Sequence, residues 1–262
     1  MNNRKKVVFT GLVSSIALSF LLSACSGSGL GLNENTFGAA TDLFKAATLS
    51  DNDVRTIAFG AAQEMDKENK IASSSSTYGK RLAKITNGLQ NEDGLKLNYK
   101  VYLVDEINAF AMADGSIRVY SGLLDIMNDD QVRFIIGHEI GHVKAGHIKK
   151  ATQAAYTASA ARKAAEASDN SVVSALSASE LGAVGEALLN AQFSQSQEYD
   201  ADAYGVDFMK RHNYDLNAAV TAMQVLEKAS EGAEKGVRTW FSSHPTSAER
   251  VERLKKKVQA ES

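Results

Sequence analysis

His138-Glu139-Ile140-Gly141-His142 sets two imidazoles four residues apart with a carboxylate between them. On an α-helix, residues i and i+4 stand one above the other on one face. Both rings can therefore reach a single Zn²⁺, which takes nitrogen and oxygen ligands in tetrahedral geometry. Glu139 beside them can accept a proton from a metal-bound water. The apolar approach Phe134-Ile135-Ile136 and the following Val143 predict a buried helix, in which imidazoles without partners would be costly. The competing reading is a pair of hydrogen-bonded core histidines.

A catalytic zinc keeps three protein ligands and one open position. The third ligand is sought in Gln197-Glu198-Tyr199-Asp200-Ala201-Asp202, where Glu198 lies 56 residues after His142. On a helix Glu198 and Asp202 are one turn apart, so one carboxylate can bind metal while the other accepts the free N–H of a ligand imidazole. Without the histidine pair, the same stretch reads as a solvated acidic face. In Ser242-Ser243-His244-Pro245, the chain's only proline restricts its predecessor. His244 can donate to a tetrahedral oxyanion, or enter as a fourth zinc ligand and close the open position as a latent state. Arg250 can orient nearby carboxylates, and the alternative for the two is a solvated histidine and a helix-surface arginine. His147 reads as structural, off the ligand face, and His212 as a partner for a helix C-terminus.

These residues need elements to hold them. A helix is predicted over 129–150, with Asn128 as N-cap, Asp129 and Asp130 in the first turn, and Lys149 and Lys150 at the end. Ser50 caps a helix over 51–70, on which Val54, Ile57, Ala58, Ala61, Ala62 and Met65 recur at helical spacing. Further helices fit 78–89, 193–211, 215–231 and 245–259, and the Ala- and Ser-rich stretch 151–187 reads as a mobile helical excursion or lid. Leu97, Tyr99, Val101 and Leu103 alternate as a strand, and 109–112 and 116–120 flank Asp114-Gly115 as a hairpin. The expected class is α+β and mainly helical, with a small antiparallel sheet packed beside the zinc helix.

The composition is that of an ordinary globular chain: 262 residues, 44% hydrophobic, 23% charged, net charge −2. It excludes collagen-like and disordered classes and implies no nucleic-acid partner. Arg4-Lys5-Lys6, the apolar run Val7 to Leu22 and then Ser23-Ala24 have the form of an export signal. Leu22-Ser23-Ala24-Cys25 resembles the lipobox of bacterial lipoproteins and carries the only cysteine at its last position. The resemblance implies a signal peptide over 1–24, lipidation of Cys25 and, because Ser26 follows rather than Asp, an outer-membrane lipoprotein facing the periplasm. Residues 25–50 then form a flexible tether rich in Gly, Ser and Asn, and 51–262 a single folded domain.

Five segments in order resemble the gluzincin metallopeptidases of the HtpX-like and CAAX-prenyl-protease-like family. Asn108-Ala109-Phe110-Ala111 with Gly115 is similar to that family's edge strand, Ser121-Gly122-Leu123-Leu124 to its strand-to-helix joint, and His138 to His147 to its zinc helix. Glu198 to Asp202 fits its E-x-x-x-D helix, and His244-Pro245 with Arg250 completes the set. The resemblance implies a zincin-like domain holding one Zn²⁺ through His138, His142 and Glu198, with Glu139 as general base. Asp202 and Arg250 would support the ligands, and Asn108 to Ala111 would pair with an extended substrate. The lipobox, compact length and lack of further spans are most like the family's lipoprotein members, whose natural substrates would be unfolded or misassembled envelope polypeptides. The outer-membrane protein assembly machinery is a further candidate partner. Two other classes compete: a chaperone or assembly factor with a latent zinc site, and a structural lipoprotein with a closed four-ligand zinc. Glu139 favours the enzyme, because binding alone requires no base between the ligands.

Overall fold

Ser50 starts the first helix by accepting the Asp53 N–H, while the Asp53 carboxylate bonds back to the Ser50 N–H. That helix, α1 (Asp51–Glu68), buries all six apolar residues at the predicted spacing and ends two residues early, where Asn69 turns extended. In the computed structural model the described residues are 49–166, 176–231, 240–241 and 243–261. The predicted signal peptide, most of the tether with Cys25, Ser242 and the middle of the 151–187 excursion lie outside them.

Ser76 caps α2 (Thr77–Ile85). Next come β1 (Asn91–Glu92) and β2 (Leu95–Lys96), joined through Asp93 and Gly94. Both turn residues have positive φ, 47° and 80°, as a two-residue type I′ hairpin requires. Strands β3 (Asn98–Tyr102), β4 (Ala109–Ala111) and β5 (Ser116–Tyr120) form the main sheet in the order β3-β5-β4. The predicted β4–β5 hairpin is present and antiparallel, but β3 pairs parallel to β5, so the sheet is mixed rather than antiparallel throughout. The six residues 103–108 are long enough to carry the chain across the end of β5, a step of about 10 Å over two strand spacings. β4 is left at the sheet's edge.

After α3 (Ser121–Ile126) comes the central helix α4 (Asp129–Lys144). Asn128 and Gln131 form its capping box, and Asp129 and Asp130 lie in its first turn. The helix stops at Lys144 rather than reaching Lys150, because Gly146 adopts a φ of +74° and its N–H bonds back to the Val143 carbonyl. A new helix, α5 (His147–Glu166), begins there. It is followed by α6 (Ala178–Leu189), α7 (Gln195–Arg211), α8 (Asn217–Glu231) and α9 (Ala248–Glu261).

The sheet has two covered faces. Val101, Ala109, Ala111, Ile117 and Val119 join the main core with α4, α7, α8 and α9. Tyr102, Phe110 and Tyr120 pack on the other side with α1 and Val184 of α6. The α+β, mainly helical class is therefore observed, with α4 buried on nearly every side: Phe134, Ile135, Ile136, His138, Ile140 and His142 are all fully enclosed. A Cβ added at Gly141 would lie 3.0 Å from the Ala201 Cα and carbonyl oxygen, so a glycine here lets α4 and α7 approach backbone to backbone.

Candidate metal centre

His138 and His142 leave α4 one turn apart, with their Nε2 atoms 3.1 Å from each other. In each ring the other nitrogen is already engaged. His138 Nδ1 lies 2.9 Å from Asp202 Oδ1, and His142 Nδ1 lies 3.0 Å from His147 Nδ1. With His138 Nδ1 donating to the carboxylate, its Nε2 is left with a lone pair facing the partner ring. His147 Nε2 faces Asp200 Oδ2 at 3.8 Å, which favours the same tautomer in His142.

Ser194 and Gln197 cap α7 reciprocally, and this places Glu198 in the helix's first turn, fully buried. Its Oε1 lies 3.3 Å from His142 Nε2 and its Oε2 3.7 Å from His138 Nε2. Asp202, one turn on, reaches the far side of His138 at Nδ1. Arg250 reaches in from α9 and binds Asp202 with two bonds, Nε to Oδ2 at 2.7 Å and Nη2 to Oδ1 at 2.9 Å. Its Nη1 contacts Glu198 Oε2 and donates to the His244 and Pro245 carbonyls. Both Arg250 and His244 are buried, which removes the solvated alternative for each.

His244 Nδ1 lies 3.2 Å from Glu198 Oε1 and 3.3 Å from His138 Nε2, and its Nε2 lies 3.4 Å from Glu139 Oε1. One ligand atom each from His138, His142, Glu198 and His244 fits within 4.8 Å, a cluster able to hold a metal ion. The donor set suits zinc: imidazole nitrogens and a carboxylate oxygen converge on one point. Three buried carboxylates, Glu139, Glu198 and Asp202, face a single buried guanidinium, and Glu139 Oε1 has no hydrogen-bond partner among the described residues.

The electrostatics follow from burial and neighbours. Burial pushes the Glu139 carboxyl up from its ordinary value. Burial acts the same way on Glu198, but bonds from His142 and His244 and the charge of His138 outweigh it and hold the group well below the carboxylate range. Asp202 is likewise lowered, with Arg250 overcoming the burial. Burial drives His142 far below the usual imidazole value, whereas at His138 the Asp202 bond and Glu198 charge reverse that effect.

The residues Asn108 to Ala111 lie beside this cluster on β4. The Tyr120 N–H bonds to the Asn108 carbonyl and the Met112 N–H to the Ser116 carbonyl, so the groups of Ala109 and Ala111 face the open edge. There the Asn108 side chain accepts the Ala109 N–H, and Glu139 Oε2 accepts the Ala111 N–H at 3.2 Å. A cleft runs along this edge, walled by Phe110, Ile148, Leu188, Leu189, Phe193 and His244.

Trp240 and Phe193 escaped the sequence, and His147, read as structural, proves to support His142. On an unbroken helix His147 would point away from His142, and only the Gly146 break brings it back; the glycine was the available signal. Trp240 stands one helical turn before His244, a spacing that could have flagged it. Phe193 stacks on His142 at 4.0 Å through tertiary packing alone, with no local signal. His212 ends α7 as read, and its Nε2 also lies 2.8 Å from Glu92 Oε2.

The sequence signature of Peptidase family M48 matches residues 77–258. The chain is 41% identical over 251 residues to Metalloprotease LoiP of Escherichia coli (strain K12), covering 95% of this chain and 97% of that one. It is 40% identical over 252 residues to Metalloprotease YcaL of the same organism, with the same coverage. It is 29% identical over 192 residues to a Protease HtpX homolog of Polynucleobacter necessarius, covering 59% of this chain and 66% of the relative.

Proposed function

The chain belongs to peptidase family M48 and is a zinc metalloendopeptidase, and from that premise we propose that it hydrolyses unfolded or misassembled cell-envelope polypeptides with Glu139 as general base. The observation carrying this reading is the position of Glu139, buried between the ligand cluster and the open edge of β4, with one oxygen on the Ala111 N–H and the other without a hydrogen-bond partner among the described residues.

His138, His142 and Glu198 would hold the zinc. When bound, the ion supplies a Lewis acid that polarises the scissile carbonyl and acidifies water. Glu139 takes the proton of the attacking water and passes it to the leaving amine, a role worth about 10²–10⁴-fold. Asp202 fixes the His138 tautomer, and Arg250 holds Asp202 and Glu198 in place. The outward carbonyls of Ala109 and Ala111 accept from an extended backbone, which gives affinity with little demand on sequence and suits unfolded segments. His244 donates an N–H to the tetrahedral oxyanion. The approach of its Nδ1 to Glu198 and His138 supports a second state in which His244 would join the residues that hold the metal.

The lipobox-like Leu22-Ser23-Ala24-Cys25 supports anchoring through Cys25 at the outer membrane, with the domain of 51–262 in the periplasm near the outer-membrane protein assembly machinery. No helix among the described residues is long and apolar enough to cross a membrane.

The test compares wild type with two variants on an unfolded protein, measuring bound zinc and fragmentation. Glu139→Gln is expected to keep its metal and lose at least 100-fold in turnover, whereas Glu198→Ala loses both. Equal turnover in wild type and Glu139→Gln would overturn the mechanism.

A further inference from the structure

We propose that Trp240 is a positioning residue that holds the His244 imidazole in aim through the face of its ring. The inference rests on the role for His244 given above and adds the residue that makes it possible. Trp240 and His244 are separated by one helical turn, and the His244 N–H bonds to the Trp240 carbonyl at 2.8 Å. The indole and imidazole stack at 4.9 Å between centroids with 26° between planes. Phe193 also lies nearly parallel to the imidazole, at 5.4 Å and 29°, so two aromatic rings flank His244 and restrict its rotation.

The same indole meets more of the site. The Arg250 guanidinium carbon lies 5.4 Å from its ring centre, and the His138 ring lies 6.0 Å away. Trp240 thus touches the histidine it aims, a proposed zinc ligand and the arginine that braces the two carboxylates. It is fully buried and does not wall the substrate cleft, whereas Phe193 does. Its contacts with His244, His138 and Arg250 are all made through the ring, so the face and the N–H of the indole can be separated by substitution.

That distinction supplies the test. Trp240→Phe keeps an aromatic face and removes the N–H, and Trp240→Leu keeps apolar bulk and removes the face. On a peptide substrate, Trp240→Phe is expected to retain kcat within about threefold. Trp240→Leu is expected to lose tenfold or more in kcat with KM changed less than twofold, because the residue does not contact substrate. Thermal melting checks that both variants fold. Independently of turnover, Trp240 is the only tryptophan in the chain, so its emission reads its contact with His244, and His244→Ala should shift that emission in both zinc-loaded and zinc-free protein. An equal loss of kcat in the Phe and Leu variants would move the role to the N–H and overturn the proposal. So would a folded Trp240→Leu with wild-type kcat, or an emission indifferent to His244→Ala. If His244→Ala itself kept full kcat, the oxyanion role would fail first, a result separable from the others.

Discussion

Arg118 and Arg250 are almost wholly removed from water, and each is held by an aspartate, Asp66 on α1 and Asp202 on α7. Bidentate guanidinium–carboxylate geometry lets a buried charge survive, and removing one partner leaves the other unpaired. Asp66 takes Arg118 Nε at 2.8 Å and Nη2 at 2.9 Å, and also Lys100 and the Tyr102 hydroxyl. Burial alone would raise the Asp66 carboxyl, but these partners outweigh it and hold the group below its ordinary value. A carboxylate lowered on folding stabilises the fold above its unfolded pKa of about 3.9, and that contribution fades as pH falls through the lower folded value. Asp66→Asn is therefore expected to lose about 3 kcal/mol at pH 7. Denaturant unfolding at pH 7 and pH 3 should show the gap to wild type narrowing in acid; a gap independent of pH would assign the loss to packing instead.

At the scale of elements, the candidate metal centre lies at a crossing of two helices whose distance is set by glycine. Gly141→Ala places a methyl against the Ala201 backbone, which cannot rotate aside. Alanine's better helix propensity returns about 1 kcal/mol, less than the upper range of about 1–3 kcal/mol for overpacking a tight contact. The expected outcome is a lower melting temperature and weaker zinc retention against a chelator, because Glu198 moves with α7 away from His142. Much of this arrangement was legible in the chain. The spacing of His138, His142, Glu198 and Asp202 named the residues that converge, and Ser50 and Asn128 announced helix starts, because capping is local chemistry. What was not legible depended on distance in space. The parallel pairing of β3 with β5, the return of His147 beyond Gly146 and the approach of Phe193 to His142 arise when separate elements pack, and no periodicity encodes them.

For the molecule as a whole, the proposed lipid anchor at Cys25 makes a prediction of its own. Cys25→Ser is expected to shift the protein from the membrane pellet to the soluble periplasmic fraction while leaving cleavage of an unfolded protein in solution intact. Retention in the pellet would argue for another anchor. The edge of β4 has a further consequence at this scale. A strand edge with carbonyls turned outward pairs with any extended chain, including another copy of itself, and exposed edges of this kind seed aggregation. Here the edge is three residues long and lies in a cleft walled by Ile148, Leu188, Leu189 and Phe193, which restricts the approach of a neighbour's strand. On the proposed function, the recess that would admit a loose, threadable chain is also a safeguard against polymerising through the same edge.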